Sequence, residues 1–199
     1  SFKGSSTEAF KSSVNSYQGK RYFSLTSEEL LRYLTAKHPD VLVQKVEMQF
    51  PDKLIITSLK RTPLAYLAVS EGYMLLSEDS HVLQKTRDIN SIYPVLTYYQ
   101  RIPYHSQQVG DEITFQEVKD SLFFLDMIKR SRRTVNRIDI VSYYMLGLYT
   151  EEETFYFSSE KDRDLQKYQF EQAISQFEIN GEPFRVLDLR FQKPIVKWE

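Results

Sequence analysis

The chain has no cysteine, which removes disulfide staples, cysteine-ligated zinc and thiol catalysis from consideration. It also lacks any run of about 18 apolar residues, so no segment of it is expected to span a bilayer as a helix. No stretch of it reads as a signal peptide. Neither sign of charge dominates: the net charge is −1 and neither half carries a bulk basic excess. Nucleic acid is therefore not an expected partner, because phosphate binding needs a clustered positive surface. Glycine is scarce at 6 residues, beside 14 Tyr and 13 Phe, a balance that favours β-rich structure. With 41% hydrophobic and 14% aromatic residues the chain can pack cores and is not disordered. Its 199 residues suffice for one large domain or two small ones. Start and end are abrupt, at Ser1-Phe2-Lys3-Gly4 and Trp198-Glu199, and the chain reads as a piece of a longer protein.

What is present is a sequence of local patterns. Thr7 to Tyr17 predicts a short helix with Phe10, Val14 and Tyr17 on one side, broken at Gly19-Lys20. Thr26-Ser27-Glu28-Glu29 is a capping box that opens a helix bearing Leu30, Leu31 and Leu34 and ending before Pro39. Val41, Val43, Val46, Met48 and Phe50 come close to alternating, with a slip of one residue near Gln44. A turn at Pro51-Asp52-Lys53 and a second strand complete a hairpin that Pro63 stops. Leu30, Leu34, Val46 and Ile55 are the expected core of this first part.

Beyond Ala65 short strands are expected at Tyr66 to Val69, Tyr73 to Leu76, and after His81. Residues 88 to 112 read as a long connection with Val95-Leu96 buried. Thr114-Phe115-Gln116-Glu117 gives a second capping box, before a helix with Val118, Leu122, Leu125 and Ile128 inward. Strands follow at Ile138 to Tyr144, Met145 to Tyr149 and Thr154 to Phe157, around a charged tip at Thr150 to Glu153. A helix over Asp162 to Phe177 turns Leu165, Ala173, Ile174 and Phe177 inward and stops at Asn180-Gly181-Glu182-Pro183. Phe184 to Phe191 reads as one last alternating strand. The fold class is α+β: residues 1–68 form a β-α-α-β-β unit, and residues 69–199 a mostly antiparallel β domain with two helices packed on it. Composition alone sets that boundary.

Catalytic patterns are not found. His38, His81 and His105 stand apart, without the helical spacing of a metal pair, and no metal or cofactor is expected. There is no phosphate loop and no nucleophile elbow. Glu151 to Glu153 read as a solvated hairpin tip, and Asp139 and Asp188 as strand residues rather than acid and base. Lys129, Arg130, Arg132, Arg133 and Arg137 could face nucleic acid or lipid; the favoured reading is a helix C-terminus followed by a solvated loop. The run Asp188 to Trp198, with Pro194 and a lone tryptophan, suggests a strand at a sheet edge. Such an edge can template a partner strand. Trp198 could equally close the core from outside.

These residues resemble the FtsQ/DivIB cell-division family. The element order of residues 1–68 resembles a POTRA domain, and Phe50-Pro51-Asp52-Lys53-Leu54-Ile55-Ile56 is similar to the family's hairpin centre. Lys60-Arg61-Thr62-Pro63-Leu64-Ala65 resembles its Glu-Arg-x-Pro-x-Ala segment, with Lys60 in place of the glutamate. Tyr93-Pro94-Val95-Leu96-Thr97 resembles its Leu-Pro-x-Leu segment, and Asp188-Leu189-Arg190-Phe191 its Asp-Leu-Arg-aromatic signature. Asp79-Ser80-His81 stands where an Asp-x-x-Gly turn is common. The matches run in order over nearly the whole chain.

The resemblance implies a non-enzymatic divisome scaffold at the bacterial septum. It would be held in the cell membrane by one helix absent from this chain, with this region outside the cytoplasm. It implies FtsB/DivIC-like and FtsL-like partners, with other divisome membrane proteins, and a role in regulating septal peptidoglycan synthesis. By the same resemblance a partner strand adds beside the last one. Arg190 would then be the charge partner, Phe191 an aromatic contact and Trp198 the terminal anchor. The alternative is a POTRA-bearing transport or secretion component, which would be followed by a membrane β-barrel.

Overall fold

A computed structural model describes residues 2–4, 7–15, 26–49, 53–89 and 92–198. Two compact units emerge: residues 1–62 with 109–111, and residues 63–108 with 112–199. The α+β class is observed, and the first unit has the expected β-α-α-β-β order.

In the first unit, strand β1 (Phe2–Gly4) precedes helices α1 (Glu8–Asn15) and α2 (Ser27–Lys37), then strands β2 (Val41–Gln49) and β3 (Lys53–Lys60). The three strands form a sheet in the order β1-β3-β2, with β1 parallel to β3 and β2 antiparallel to it. Helix α2 starts where the capping box places it. Thr26 Oγ1 accepts from the Glu29 amide at 3.2 Å, and the Glu29 carboxylate accepts from the Thr26 amide at 2.8 Å. Two of the helix's orphan N-terminal donors are thereby satisfied. The slip near Gln44 is a β-bulge: Val43 faces Ser58 while Lys45 faces Thr57. Pairing continues to Gln49 opposite Lys53; residues 50–52 of the expected turn, like Tyr17 and Gly19-Lys20, lie outside the described residues.

Phe10, Val14, Leu30, Leu34, Val41, Val43, Val46 and Ile56 form this unit's core. Ile55 is buried but lies outside that cluster, because alternation turns it to the other face of the sheet; Ile56 holds the core position opposite Val46. Arg61 is buried as well. Its Nη1 donates to the Pro39 and Val41 carbonyls at 2.8 and 3.1 Å, tying the end of β3 to the loop that enters β2.

The second unit is one nine-stranded sheet in the order β12-β11-β10-β9-β8-β7-β4-β5-β6. Its elements are β4 (Pro63–Val69), β5 (Gly72–Ser77), β6 (Val82–Thr86), β7 (Val95–Tyr98), α3 (Gln116–Arg130), β8 (Arg137–Ser142), β9 (Met145–Tyr149), β10 (Thr154–Phe157), α4 (Arg163–Asn180), β11 (Val186–Asp188) and β12 (Ile195–Lys197). Most neighbours are antiparallel; β4–β7, β7–β8 and β10–β11 are parallel.

Four sequence expectations need correction here. The boundary drawn at residue 68 falls inside β4, because Leu64, Ala65 and Leu67 belong to the core of the second unit. The connection over 88 to 112 contains a central strand, β7, whose parallel partners are far away in sequence. The second capping box does not form: Phe115 packs on Tyr98 and becomes the N-cap, so α3 starts one residue later without a side-chain cap. Leu165 of α4 is exposed, and Phe170, Ile174 and Gln166 are the buried residues of that helix. The inward face of α3 is as expected, with Val118, Leu122, Leu125 and Ile128 all fully buried.

Leu34 is fully buried in the first unit, so Leu34→Ala should destabilise it by about 2–5 kcal/mol in a denaturant melt. His38 is buried between Phe10, at an edge-on 5.3 Å, and Ser13, whose Oγ lies 2.9 Å from Nε2. Burial holds its pKa below the ordinary value of 6.5, an effect that the nearby Asp40 charge only partly opposes. The unfolded chain thus binds the proton more readily. Stability should be full above pH 6.5 and fall as the pH drops through the depressed folded value. That part of the acid slope should vanish in His38→Gln, as read by melts across a pH series.

Candidate functional site

At one end of the large sheet the chain makes its last two strands. The expected single strand over Phe184 to Phe191 is broken after Asp188. The Asp188 carboxylate accepts from the Arg190 amide at 3.1 Å, a local side-chain bond that competes with continued pairing. The chain turns through residues 189–194 and returns as β12, with Val186 opposite Lys197, Leu187 opposite Val196 and Asp188 opposite Ile195. Strand β11 is parallel to β10 on its other side, so β12 is the outermost strand. Pro194 precedes it, where a missing N–H costs no central ladder bond.

The turn is fixed from the side of α4. Lys161 Nζ donates to the carbonyls of Leu189 at 2.8 Å and Phe191 at 2.6 Å, and to the Gln169 side chain. Gln169 Nε2 donates to the Gln192 carbonyl at 2.8 Å. Burial lowers the Lys161 pKa, and the Asp188 charge works the other way. Arg190 is bound side-on to Asp188, Nε to Oδ1 at 2.9 Å and Nη2 to Oδ2 at 2.6 Å. That bond raises the arginine's already high pKa. The guanidinium also lies 5.3 Å from the Tyr156 ring centre and 5.4 Å from that of Phe191.

Of the three residues picked from sequence, Arg190 and Phe191 are adjacent in this turn and Trp198 follows β12. Arg190 is half-buried and paired within the chain. Phe191 is 48% exposed, Ile195 45% and Trp198 47%. Trp198 packs edge-on against Phe177 of α4 at 5.5 Å while half of it stays open. Sequence reasoning missed Lys161, Gln169 and Tyr156. Lys161 and Gln169 are more than twenty residues from the turn carbonyls they bind, and no local pattern marks them. Tyr156 could have been found, since alternation from Phe155 and Phe157 turns it to the outer face.

Elsewhere among the described residues no converging chemistry is seen. Among the described residues no group of three or more His, Asp or Glu side chains is placed to hold a metal. His81 contacts the Asp79 carboxylate, and Asp139 accepts from Thr97 Oγ1 at 2.9 Å. The basic run is dispersed: Arg130 pairs with Asp126, Arg133 with Glu153 and Glu178, and Arg137 with Asp139. A cleft of about 660 Å³ between α3 and α4 has an apolar floor of Phe123, Met127, Phe170 and Ile174 under a rim of both charges. No helix among the described residues is long and apolar enough to cross a membrane; this does not bear on β-barrels. What the terminal edge offers is backbone pairing beside exposed apolar rings, the requirements of strand addition.

No protein-family model matches the chain, and no curated protein matches it. Among solved structures it is similar to the major extracytoplasmic domain of the trans isomer of the bacterial cell division protein DivIB from Geobacillus stearothermophilus. The two are 14% identical, the match covers 62% of this chain and 98% of that chain, and the TM-score is 0.33.

Lys161 supplies a charged donor to two turn carbonyls. Lys161→Met should lower the local opening free energy of the turn and β12 by about 1.5–3 kcal/mol. Hydrogen exchange at residues 190–197 would accelerate accordingly, while amides of α3 keep their protection.

Proposed function

We propose that this chain is the extracytoplasmic region of an FtsQ/DivIB-like single-pass membrane protein, a non-enzymatic scaffold of bacterial cell division. In this reading the first unit is a POTRA domain. The second binds FtsB/DivIC-like and FtsL-like partners by strand addition at β12, and through them helps to regulate septal peptidoglycan synthesis. The observation that carries it is the outer edge of β12. It takes no strand among the described residues and is bordered by the exposed Phe191, Ile195 and Trp198.

Support comes also from where the family-like segments fall. Lys60 to Ala65 spans the division between the units, with Arg61 buried at the end of β3 and Leu64 and Ala65 in the core of the next unit. Tyr93 to Thr97 enters the central β7, and the Pro94 carbonyl accepts from the Tyr66 amide at 2.9 Å. Asp188 to Phe191 is the turn before the open edge. All these segments sit at junctions that set strand order, not at a reaction centre.

The charge role of Arg190 needs a gentler substitution than a reversal. A glutamate there would face Asp188 and disturb the turn itself, so Arg190→Met is the informative change. The test is titration with the soluble segment of the FtsB/DivIC-like protein encoded in the same genome. Phe191→Ala and Trp198→Ala should each weaken binding by about 2 kcal/mol if they are anchors, with circular dichroism unchanged. Trp198 is the sole tryptophan, so its emission should shift to the blue as the added strand covers it. Wild-type affinity in Phe191→Ala, Trp198→Ala and Arg190→Met alike, all folded, would place the partner elsewhere.

A further inference from the structure

We infer that Asp188 is a positioning residue for partner recognition: it holds Arg190 as a fixed cation over β10 and β11, beside the turn that leads into the open edge, before any partner arrives. This rests on the docking function proposed above. It assigns to Asp188 a role distinct from the strand pairing of β11.

The geometry is restrictive. Asp188 is 8% exposed, and its carboxylate accepts three bonds, all from Arg190: the amide at 3.1 Å, Nε at 2.9 Å and Nη2 at 2.6 Å. Tyr156, directly across the strand pair from Asp188, and Phe191 flank the guanidinium with their rings. Among the described residues nothing else bonds this guanidinium, so Nη1 is left for an incoming acceptor.

A partner carboxylate cannot simply replace Asp188. Moving Arg190 away would leave a nearly buried carboxylate unpaired, which is strongly unfavourable. The incoming acid must therefore approach the unused side of the guanidinium, giving a row of Asp188, Arg190 and the partner's acid. An arginine held this way loses little side-chain freedom on binding. The backbone of the turn does not depend on the ion pair alone, because Lys161 and Gln169 hold the carbonyls of residues 189, 191 and 192. Removing the Asp188 charge should thus loosen the guanidinium while β12 stays paired.

The test is a double-mutant cycle, with the soluble FtsB/DivIC-like segment as probe and Trp198 emission as signal. Asp188→Asn should weaken binding about tenfold when Arg190 is present and by less than about twofold in an Arg190→Met background. An equal loss in both backgrounds would make Asp188 merely structural and overturn the proposal. Tighter binding by Asp188→Asn would overturn it too, since Asp188 would then be a competitor of the partner acid. Nuclear magnetic resonance of the unsubstituted protein serves if Asp188→Asn fails to fold. The Arg190 Nε–H should be protected from exchange in the free chain and remain so in the complex; loss of protection on binding is the contrary result. No binding by the wild type would instead sink the docking function itself, and this inference with it.

Discussion

A connected series of aromatic rings holds the second unit together. Phe124 of α3 stacks on Phe157 of β10 at 4.0 Å, and Phe157 meets Phe170 of α4 at 6.4 Å. Phe170 meets Phe155 at 5.5 Å, Phe155 meets Phe184 at 5.9 Å, and Phe184 meets Phe177 at 4.7 Å. Phe177 then reaches Trp198 beyond the edge strand. Rings bury more area than aliphatic side chains, and their offset or edge-on contacts add about 0.5–1.5 kcal/mol per pair. Helix α4 needs this, for its inward face includes the polar Gln166 and its apolar stripe is thin. Gln166 lies there only because its amide is used up, accepting from the Ser158 amide at 2.9 Å and donating to the Ser158 carbonyl at 2.8 Å.

On the sheet's other face a series of polar and aromatic side chains runs from β8 to β11. Arg137 lies over the Tyr149 ring at 4.4 Å, Tyr149 meets Tyr156 edge-on at 6.3 Å, and Tyr156 flanks Arg190. Gly147 makes this possible. A Cβ there would come within 2.6 Å of the Tyr149 hydroxyl, so the ring can lie along the strand only over glycine. Each of the two arginines is held by an aspartate close by in the sequence, Arg137 by Asp139 and Arg190 by Asp188. The terminal edge is thus the end of an ordered face rather than a loose tail.

What could be read from the sequence follows the range of the interactions. The capping box at Thr26, the bulge at Gln44 and the inward face of α3 are set by residues a few positions apart, and they are found as expected. Strand β7 escaped because four residues carry too little period, and only β4 and β8, remote in sequence, make it a strand. The break between β11 and β12 escaped for a different reason. Leu187, Leu189 and Phe191 alternate with Asp188 and Arg190, and the Asp188–Arg190 bond that bends the chain is invisible to a hydropathy pattern. Of the candidate site, Phe191 and Trp198 were legible as exposed rings near a terminal strand. The holding residues Lys161 and Gln169 were not, since their acceptors are backbone carbonyls brought close only by the fold.

An unpaired strand edge invites unwanted pairing, and the composition of this one limits the danger. Strand β12 has three residues, too few to template a long ladder, and Pro194 removes a donor just before it. Lys193 and Lys197 place positive charge at both ends, which disfavours pairing with a second copy of the same edge. Those charges and Arg190 favour a strand that carries acidic residues. In the docking proposed above, so short and cationic an edge would give weak backbone pairing alone, and selectivity would then have to come from side chains, with the guanidinium held by Asp188 counting for more than the number of ladder bonds.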